Sequence, residues 1–346
     1  MTVKVDMASR IAPIQAAGRR KRWGVFLWGG RAHSDSPGKG AAFLSLERES
    51  LGPEQKSGPV PSQSSRLLDY VSLLKPEVTF LVLIATALGC FMAAESLSVW
   101  LLFHAVFGTA LVAGGTAALN HFLERTHDGK MRRTANRPLP AGRLTPREVL
   151  IFGLTLSVAG VLYLAALVNL LTSFLGLATL LSYLLVYTPL KRKTAWATFI
   201  GAFPGAAPSL MGWAAARNSL ELEAWVLYAL LFFWQFPHFL AIAWIYREDY
   251  TRAGMRMLPQ QDLDGRVAFH QIVGYSVALL PVSLLPSFLG MTGNLYLIVA
   301  GLSGLAFLCL ACRASQDRSK LQARILLHAS VVYLPVLYAA MVLDKT

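Results

Sequence analysis

From Pro76 onward, long apolar runs alternate with short polar breaks, and each run is about 20 residues long. A run of this length crosses the hydrocarbon core of a bilayer as a helix, which satisfies its own backbone hydrogen bonds in lipid. The runs lack the apolar and polar alternation of barrel strands. The pattern therefore predicts an all-α, polytopic membrane protein. We expect nine transmembrane helices, near residues 77–95, 99–120, 148–167, 170–188, 195–214, 223–245, 268–289, 294–312 and 324–343, with Asn169 alone between the third and fourth.

The first 66 residues differ in composition from the rest of the chain. They are polar, rich in Gly, Ser and Pro, and contain an Arg-Arg-Lys-Arg run at 19–22 followed by Trp23, Phe26 and Trp28. Such a composition cannot bury a core, and a basic and aromatic patch is attracted to a membrane surface. We therefore expect a flexible basic tail over residues 1–66, with a mitochondrial-type targeting segment as the alternative, and a membrane domain over residues 67–346.

Charge distribution predicts how the domain is oriented. The chain of 346 residues is 55% hydrophobic and 15% charged, has a mean hydropathy of +0.48, and carries a formal net charge of +13. Within the membrane domain, Lys and Arg concentrate in the connections 121–147, 189–194, 246–267 and 313–323. The positive-inside rule places these connections and the N-terminus on the cytoplasmic or matrix side. We expect a protein of the bacterial inner membrane, with the mitochondrial inner membrane as the alternative, whose basic residues face lipid headgroups and no nucleic acid.

The segment after the second apolar run carries the first candidate site. Asn120, Glu124 and Asp128 are spaced at i, i+4 and i+8, which places them along one helix face. Magnesium prefers oxygen ligands, keeps several waters and is usually completed by substrate phosphates, so one amide and two carboxylates are a sufficient protein contribution. The spacing therefore predicts a Mg²⁺ site. A solvated amphipathic helix end is the alternative interpretation.

Cations and a second acidic group accompany this site. Arg133 and Arg137 follow within the same connection, and their planar guanidinium groups suit phosphate oxygens. The sixth apolar run ends in a group containing Asp249 and Arg252, on the same predicted side of the membrane. Helix C-termini favour bound cations, so two such ends facing each other can hold metal ions on a shared diphosphate. A solvated loop is the alternative interpretation of the second group.

Four ordered motifs resemble the UbiA superfamily of intramembrane prenyltransferases, over roughly residues 70 to 343. The motifs are Asn120 with Glu124, Asp128, Met131, Arg133-Thr134 and Arg137-Pro138-Leu139; Tyr187-Thr188-Pro189-Leu190-Lys191-Arg192; Trp234-Gln235-Phe236-Pro237-His238-Phe239; and Asp249-Tyr250 with Ala253-Gly254 and Met257-Leu258-Pro259. Two departures favour the branch of the superfamily that acts on heme: His121 stands where the wider superfamily has Asp, and Asp249 is a reduced second aspartate motif. Asp262 and Asp264 have no clear family counterpart, and we expect solvated loop residues there.

The resemblance implies a fold, a reaction and a set of site residues. The fold is a helical bundle around a central apolar cavity. The reaction transfers a farnesyl group from farnesyl diphosphate to a vinyl group of heme b, with addition of water, and heme A synthase is a possible partner. Mg²⁺ is the implied cofactor. Asn120, Glu124, Asp128 and Asp249 are assigned to magnesium, and Arg133, Arg137, Lys191, Arg192 and Arg252 to the diphosphate. Cleaving the allylic C–O bond leaves new charge on the diphosphate, which metal and fixed cations stabilise.

His238 lies in the sixth apolar run, roughly three turns before Asp249. Heme iron accepts imidazole, so we expect His238 to bind heme, while a hydrogen bond to a neighbouring helix is the alternative. Among other functions, a prenyltransferase acting on a quinone precursor or chlorin comes second. A transporter predicts charges near the middle of the membrane. The runs 149–190 and 195–214 contain no Asp, Glu, Lys or Arg, which disfavours a transporter.

Overall fold

The structure is a computed structural model that describes residues 63–258 and 262–346. The basic tail expected over residues 1–66 lies outside the described residues up to residue 62. The described chain is helical, and α5 continues through a π-helical turn, Ser182–Tyr187, into the short α6. The helices are α1 Gln63–Leu73, α2 Pro76–Ala93, α3 Val99–Asp128, α4 Pro146–Leu167, α5 Leu170–Leu181, α6 Thr188–Leu190, α7 Ala197–Arg217, α8 Leu222–Ile245, α9 Arg247–Arg252, α10 Arg266–Phe288, α11 Asn294–Asp317 and α12 Lys320–Leu343.

Within the described residues, eight helices are long and apolar enough to cross a membrane, and they correspond to eight of the nine predicted spans. The remaining span, 195–214, corresponds to α7, which is long enough at 21 residues but contains Pro204, Pro208 and many Gly and Ala residues. Its residues 206–215 are all buried. A helix enclosed by other helices needs little apolar surface for lipid. The all-α membrane architecture is confirmed, and the count of nine includes α7.

Small residues let α7 lie directly against α2. A Cβ atom added at Gly212 would be 1.9 Å from the Thr86 carbonyl oxygen, and one at Gly89 would be 2.3 Å from the Ser209 carbonyl oxygen. Close backbone approach through small residues is the usual way in which helices associate in lipid. This contact joins the second half of α2 to the second half of α7.

The boundaries of two helices bear on the predictions. The helix of the second span extends beyond residue 120 and ends at Asp128, so all three predicted ligands lie within α3. Asn169 separates α4 from α5, as expected. Its Oδ1 accepts a hydrogen bond from Thr172 N at 2.8 Å, which caps α5, and its Nδ2 donates to the Ala214 carbonyl oxygen at 2.8 Å. This side chain therefore holds a tight turn between two spans.

The expectation for the loop before α10 was right for one aspartate and wrong for the other. Asp264 is exposed and pairs with Arg266. Asp262 is buried, and its two carboxylate oxygens accept hydrogen bonds from Val267 N at 2.9 Å and Ala268 N at 2.8 Å. The carboxylate satisfies backbone groups at the start of α10 that have no partner within the helix. Asp262 therefore has a structural role.

Candidate active site

The last turns of α3 carry three buried polar side chains on one face. Asn120 is 0% exposed, Glu124 is 7% exposed and Asp128 is 1% exposed. Buried carboxylates are strongly unfavourable unless they are paired and hydrogen-bonded. The arrangement therefore depends on the cations that surround it.

Each of the three side chains has a cationic partner from a different part of the chain. Arg137 Nη1 lies 2.7 Å from Asp128 Oδ2, and Lys191 Nζ lies 2.9 Å from Glu124 Oε1. Lys75 Nζ donates a hydrogen bond to Asn120 Oδ1 at 2.7 Å. We call these six residues the ion-pair cluster. It brings together the expected metal ligands of α3 and two of the expected diphosphate-binding residues.

Asp249 lies beside this cluster, in α9. Its Oδ1 is 2.8 Å from Arg252 Nη1, and its Oδ2 accepts a hydrogen bond from the backbone N of Arg133 at 3.4 Å. Burial raises the pKa of the Asp249 carboxyl, but hydrogen bonds from the Arg133 backbone and the Arg252 guanidinium outweigh it and hold the pKa below its usual value. Asp249 is therefore ionised at neutral pH.

The loop after α3 connects the two acidic groups. Thr134 Oγ1 donates a hydrogen bond to the Asp128 carbonyl oxygen at 2.8 Å, and the adjacent Arg133 bonds Asp249. The Arg133 guanidinium lies over the ring of Tyr246 at 4.9 Å and donates to Tyr250 Oη at 3.4 Å. A single short loop thus contacts the ends of α3 and α9, which places both acidic groups at one end of the bundle.

The π-helical turn positions Lys191. An inserted residue of this kind is often found at functional sites. Lys191 Nζ lies 4.4 Å from the ring centroid of Tyr187 and 5.7 Å from that of Tyr183, so two aromatic faces support its charge. The Tyr187 ring packs against Gly201, where a Cβ atom would lie only 2.5 Å from the ring. Thr188 Oγ1 accepts a hydrogen bond from Asn120 Nδ2 at 3.3 Å, which joins this turn to α3.

The sequence pattern did not predict a role for Lys75. This residue caps the start of α2 in the left-handed backbone region, with a φ of 48°, and is half-buried. Burial, with the nearby charges of Arg137 and Lys191, lowers its pKa to about 7, even though Glu124 and Asp128 act in the opposite direction. The one available signal was a Lys-Pro pair directly before the first apolar run, on the same predicted side as the other cations.

Arg192 is a predicted diphosphate residue that makes no contact with the ion-pair cluster. Its side chain is exposed, whereas Lys191 beside it is largely buried. Within the described residues, Arg192 makes no side-chain hydrogen bond and no ion pair.

The donor set fits magnesium only together with a substrate. Asp128 Oδ1 is buried and has no hydrogen-bond partner among the described residues, so one carboxylate oxygen is available inside the cluster. Over residues 63–258 and 262–346, no three His, Cys, Asp or Glu side chains are grouped so that they could hold a metal by themselves. Magnesium accepts few protein oxygens when phosphate oxygens and waters complete its shell. Asn120, Glu124, Asp128 and Asp249 therefore fit a metal that arrives with a diphosphate.

His238 lies in α8, against α12. Its Nδ1 is 2.8 Å from Ser330 Oγ, and the same hydroxyl donates to the Leu327 carbonyl oxygen at 2.6 Å. Because the only hydroxyl proton of Ser330 is used on that carbonyl, the imidazole Nδ1 must be the donor to Ser330. The lone pair of His238 is then on Nε2. The Trp234 ring stacks on the imidazole at 4.7 Å and fixes its orientation.

Comparison with known proteins identifies the class. The model of the UbiA prenyltransferase family matches residues 82–332. Two solved structures have the same fold. A digeranylgeranylglyceryl phosphate synthase has a TM-score of 0.68 and 16% identity, with coverage of 81% of this chain and 98% of that chain. A UbiA homolog from Archaeoglobus fulgidus bound to DMAPP and Mg²⁺ has a TM-score of 0.58 and 15% identity, with coverage of 79% of this chain and 99% of that chain. The chain belongs to the UbiA prenyltransferase family.

Curated relatives narrow this class further. A protoheme IX farnesyltransferase of Solibacter usitatus is 50% identical over 287 residues, which are 80% of this chain and 98% of the relative. One of Koribacter versatilis is 45% identical over 299 residues, which are 83% of this chain and 96% of the relative. Within the UbiA family the chain groups with the protoheme IX farnesyltransferases, and it is a prenyltransferase enzyme.

Proposed function

We propose that the chain transfers a farnesyl group from farnesyl diphosphate to a vinyl group of heme b, within the membrane and with the help of Mg²⁺. The observation that carries this proposal is the pairing of each acidic side chain of the site with a cation, at one end of the bundle. Acids and cations in alternation match a ligand that contains both metal ions and phosphate. The relatives named for farnesyl transfer to protoheme IX support the same substrates.

Substrate binding exchanges the partners of the ion-pair cluster. Asn120, Glu124, Asp128 and Asp249 would hold magnesium, and the cations that pair with them in the ligand-free protein would bind the diphosphate together with nearby arginines. The diphosphate-binding cations are Lys75, Arg133, Arg137, Lys191, Arg192 and Arg252. Each buried carboxylate would then exchange a cationic side chain for the metal, so none would be left without a partner.

Ionisation of the allylic C–O bond follows from this arrangement. The bonding electron pair leaves with the diphosphate, where Lys191, Arg137 and Lys75 stabilise the added negative charge. Magnesium, when bound, supplies further positive charge and a Lewis acid for the phosphate oxygens. Tyr183 and Tyr187 present aromatic faces beside Lys191, where they favour positive charge on the allylic fragment.

His238 is proposed to bind the heme iron through Nε2. The hydrogen bond from its Nδ1 to Ser330 is the kind of contact that orients a ligating imidazole and increases its basicity. Trp234 stacks on one side of the ring and leaves Nε2 for a ligand. Because Nδ1 is the donor to Ser330, the lone pair on Nε2 is not used in that bond and can accept the iron.

The location follows from the charge distribution and the relatives. The cluster lies in connections rich in Lys and Arg, which supports a site on the cytoplasmic side of a bacterial inner membrane, with the N-terminus on the same side. The compared relatives are bacterial, which favours this membrane over the mitochondrial one. Heme A synthase is proposed as the partner that accepts the product.

A product assay tests the proposal. Purified protein in detergent is incubated with heme b, farnesyl diphosphate and Mg²⁺, and the products are separated and weighed by mass spectrometry. We expect a hydroxylated farnesyl heme, lost when Mg²⁺ is chelated and lost in Asp128→Asn. The Asp69→Asn variant is the control, because Asp69 is also a buried carboxylate paired with an arginine, Arg143, but stands in α1. Product from a hydroxybenzoate or chlorin acceptor, with none from heme b, would overturn the proposed acceptor.

A further inference from the structure

His121 has no use in the reaction described so far, yet it lies inside the site. Its side chain is 2% exposed, and neither ring nitrogen has a hydrogen-bond partner among the described residues. An imidazole always carries hydrogen-bonding capacity, and burying it without a partner is costly. A group of this kind next to an active site indicates that a ligand or water supplies the partner.

The position of His121 along α3 defines where that partner is. His121 precedes Asp128 by seven positions, so the two side chains point in nearly the same direction, about 20° apart, and His121 lies about 10.5 Å further from the end of the helix. Lys75 and Arg137 are the cations close enough to act on it. His121 is therefore at the inner end of the ion-pair cluster, between the diphosphate cations and the apolar interior.

The neighbouring polar groups at this depth are already engaged. Asn120 accepts from Lys75 through Oδ1 and donates to Thr188 through Nδ2. Thr188 donates to the Tyr183 carbonyl oxygen at 2.9 Å. His121 is thus the side chain at the inner end of the cluster with both a donor and an acceptor to spare, in its neutral form.

We propose that His121 binds the water molecule that adds to the acceptor. This inference rests on the proposed function. The electron pair of the vinyl double bond forms the new C–C bond from the terminal vinyl carbon to C1 of the farnesyl group. The C1–O bond breaks and its electron pair leaves on the diphosphate. Positive charge then lies on the vinyl carbon next to the pyrrole ring. The water oxygen bonds to that carbon, and one proton of this water passes to the diphosphate, which has just gained negative charge.

The role of His121 is to hold that water within reach and in the correct orientation. Without a positioned water, the same cation loses a proton from the adjacent carbon and becomes an alkene. The alkene product is lighter than the alcohol by one water molecule. The ratio of alcohol to alkene therefore reports on this water alone, and a loss of folding or of diphosphate binding lowers both products together.

The test compares His121→Leu, His121→Gln and a matched control in the product assay with heme b, farnesyl diphosphate and Mg²⁺. Thr109→Val is the control, because Thr109 also has a buried side-chain oxygen without a partner in the described chain and stands on α3, twelve residues before His121. We expect His121→Leu to raise the alkene-to-alcohol ratio about tenfold, the factor that corresponds to loss of one ordinary hydrogen bond. His121→Gln should restore most of the alcohol, and Thr109→Val should leave the ratio unchanged.

The outcomes separate this inference from the proposed function. If the unmodified protein makes no farnesylated heme, the proposed function fails. If it makes the alcohol and His121→Leu makes the same mixture, the function stands and the role of His121 is wrong. If His121→Leu does not fold, His121→Phe takes its place, because its ring is of similar size but has no hydrogen-bonding nitrogen. A raised alkene-to-alcohol ratio in His121→Phe supports the inference, and an unchanged ratio overturns it.

Discussion

Lys191 Nζ lies 2.9 Å from Glu124 Oε1, and both side chains are about nine-tenths buried. All of α4 and α5 lies between the two residues in sequence, and Lys191 follows directly after the π-helical turn and α6. Neither can face its proposed ligand while the pair is closed. We therefore expect metal and diphosphate to bind together, because each one would pair the charge that binding of the other leaves unpaired.

Isothermal titration calorimetry tests this coupling. We expect Mg²⁺ alone and a non-hydrolysable farnesyl diphosphate analogue alone to bind weakly, and each to bind at least about tenfold more tightly when the other is present. Lys191→Met should strengthen binding of Mg²⁺ alone, because it frees Glu124, and should weaken binding of the analogue. Lys320→Met is the control, because it removes a more exposed pair with Glu248 at the same end of the bundle. Independent binding of metal and analogue would contradict partner exchange.

Lys75 predicts how analogue affinity depends on pH. Its pKa is about 7 in the ligand-free protein, and the bound negative charge of a diphosphate raises it again. Above pH 7, Lys75 is neutral in the free protein and takes up a proton on binding, so affinity should fall as pH rises. Proton uptake is measured by calorimetry at pH 8 in two buffers of different ionisation enthalpy. Lys75→Arg stays charged and should lose this uptake, and equal uptake by both proteins would argue against the role of Lys75.

The same shift predicts the stability of the ligand-free protein. The ordinary pKa of lysine, 10.5, lies above the folded-state value of about 7, so the folded protein binds fewer protons than the unfolded chain between these values. The contribution of Lys75 to the free energy of unfolding therefore rises with pH between these two values. Below pH 7, the buried ammonium lowers the free energy of unfolding by its full amount. Lys75→Met should raise the melting temperature more at pH 6 than at pH 9. An increase of the same size at both values would mean that charge is not its cause.

His238 predicts a spectroscopic result. His238→Ala should shift the Soret band of bound heme, because it removes the proposed iron ligand, and Ser330→Ala should produce a smaller shift in the same direction by releasing Nδ1. His104→Ala is the control, since His104 is also hydrogen-bonded to a hydroxyl, that of Tyr163, near the opposite end of α3. An unchanged spectrum in His238→Ala would remove the ligand role while leaving the diphosphate site untouched.

The contact between α2 and α7 predicts a stability difference between two glycines. Gly212→Ala places a Cβ atom against the Thr86 carbonyl oxygen, and a backbone atom moves less easily than a side chain, so we expect a loss in stability of about 3 kcal/mol, the upper end of the usual range. Gly274→Ala is the matched control in α10, because nothing lies within 4 Å of its added Cβ atom. That variant should be neutral or slightly more stable, since alanine favours a helix. Thermal unfolding in detergent measures both, and equal melting temperatures would contradict the close packing.

The periodicity of the sequence was sufficient to predict the helices of the fold and the face of α3 that carries part of the site. The apolar runs predicted eight helices that are long and apolar enough to span a membrane, and α7 as a ninth. The spacing of Asn120, Glu124 and Asp128 predicted a shared face, which holds because α3 continues without a break to Asp128. These features depend only on residues close together in sequence. Four sequence motifs predicted the family and its prenyltransferase activity. Both predictions are confirmed by the matching family model and by the curated relatives.

Contacts between helices were beyond reach of the sequence pattern. Lys75 meets Asn120 only because the start of α2 packs beside α3, and Lys191 meets Glu124 only because of a π-helical turn that has no clear sequence signal. Asp262 was expected in solvent because polar loops usually are exposed, and the need to cap α10 overrides that preference. The roles assigned to the individual site residues stay predictions.

In the proposed site, Asp128 and Asp249 hold one and the same metal-bound diphosphate. A double-mutant cycle of Asp128→Asn and Asp249→Asn, read as Mg²⁺-dependent affinity for a non-hydrolysable farnesyl diphosphate analogue, tests it most directly. A shared ligand predicts that the double variant loses less affinity than the two single variants combined, by an interaction energy of about 1 kcal/mol or more. Losses that add within about 0.5 kcal/mol would show that the two carboxylates act on separate ligands.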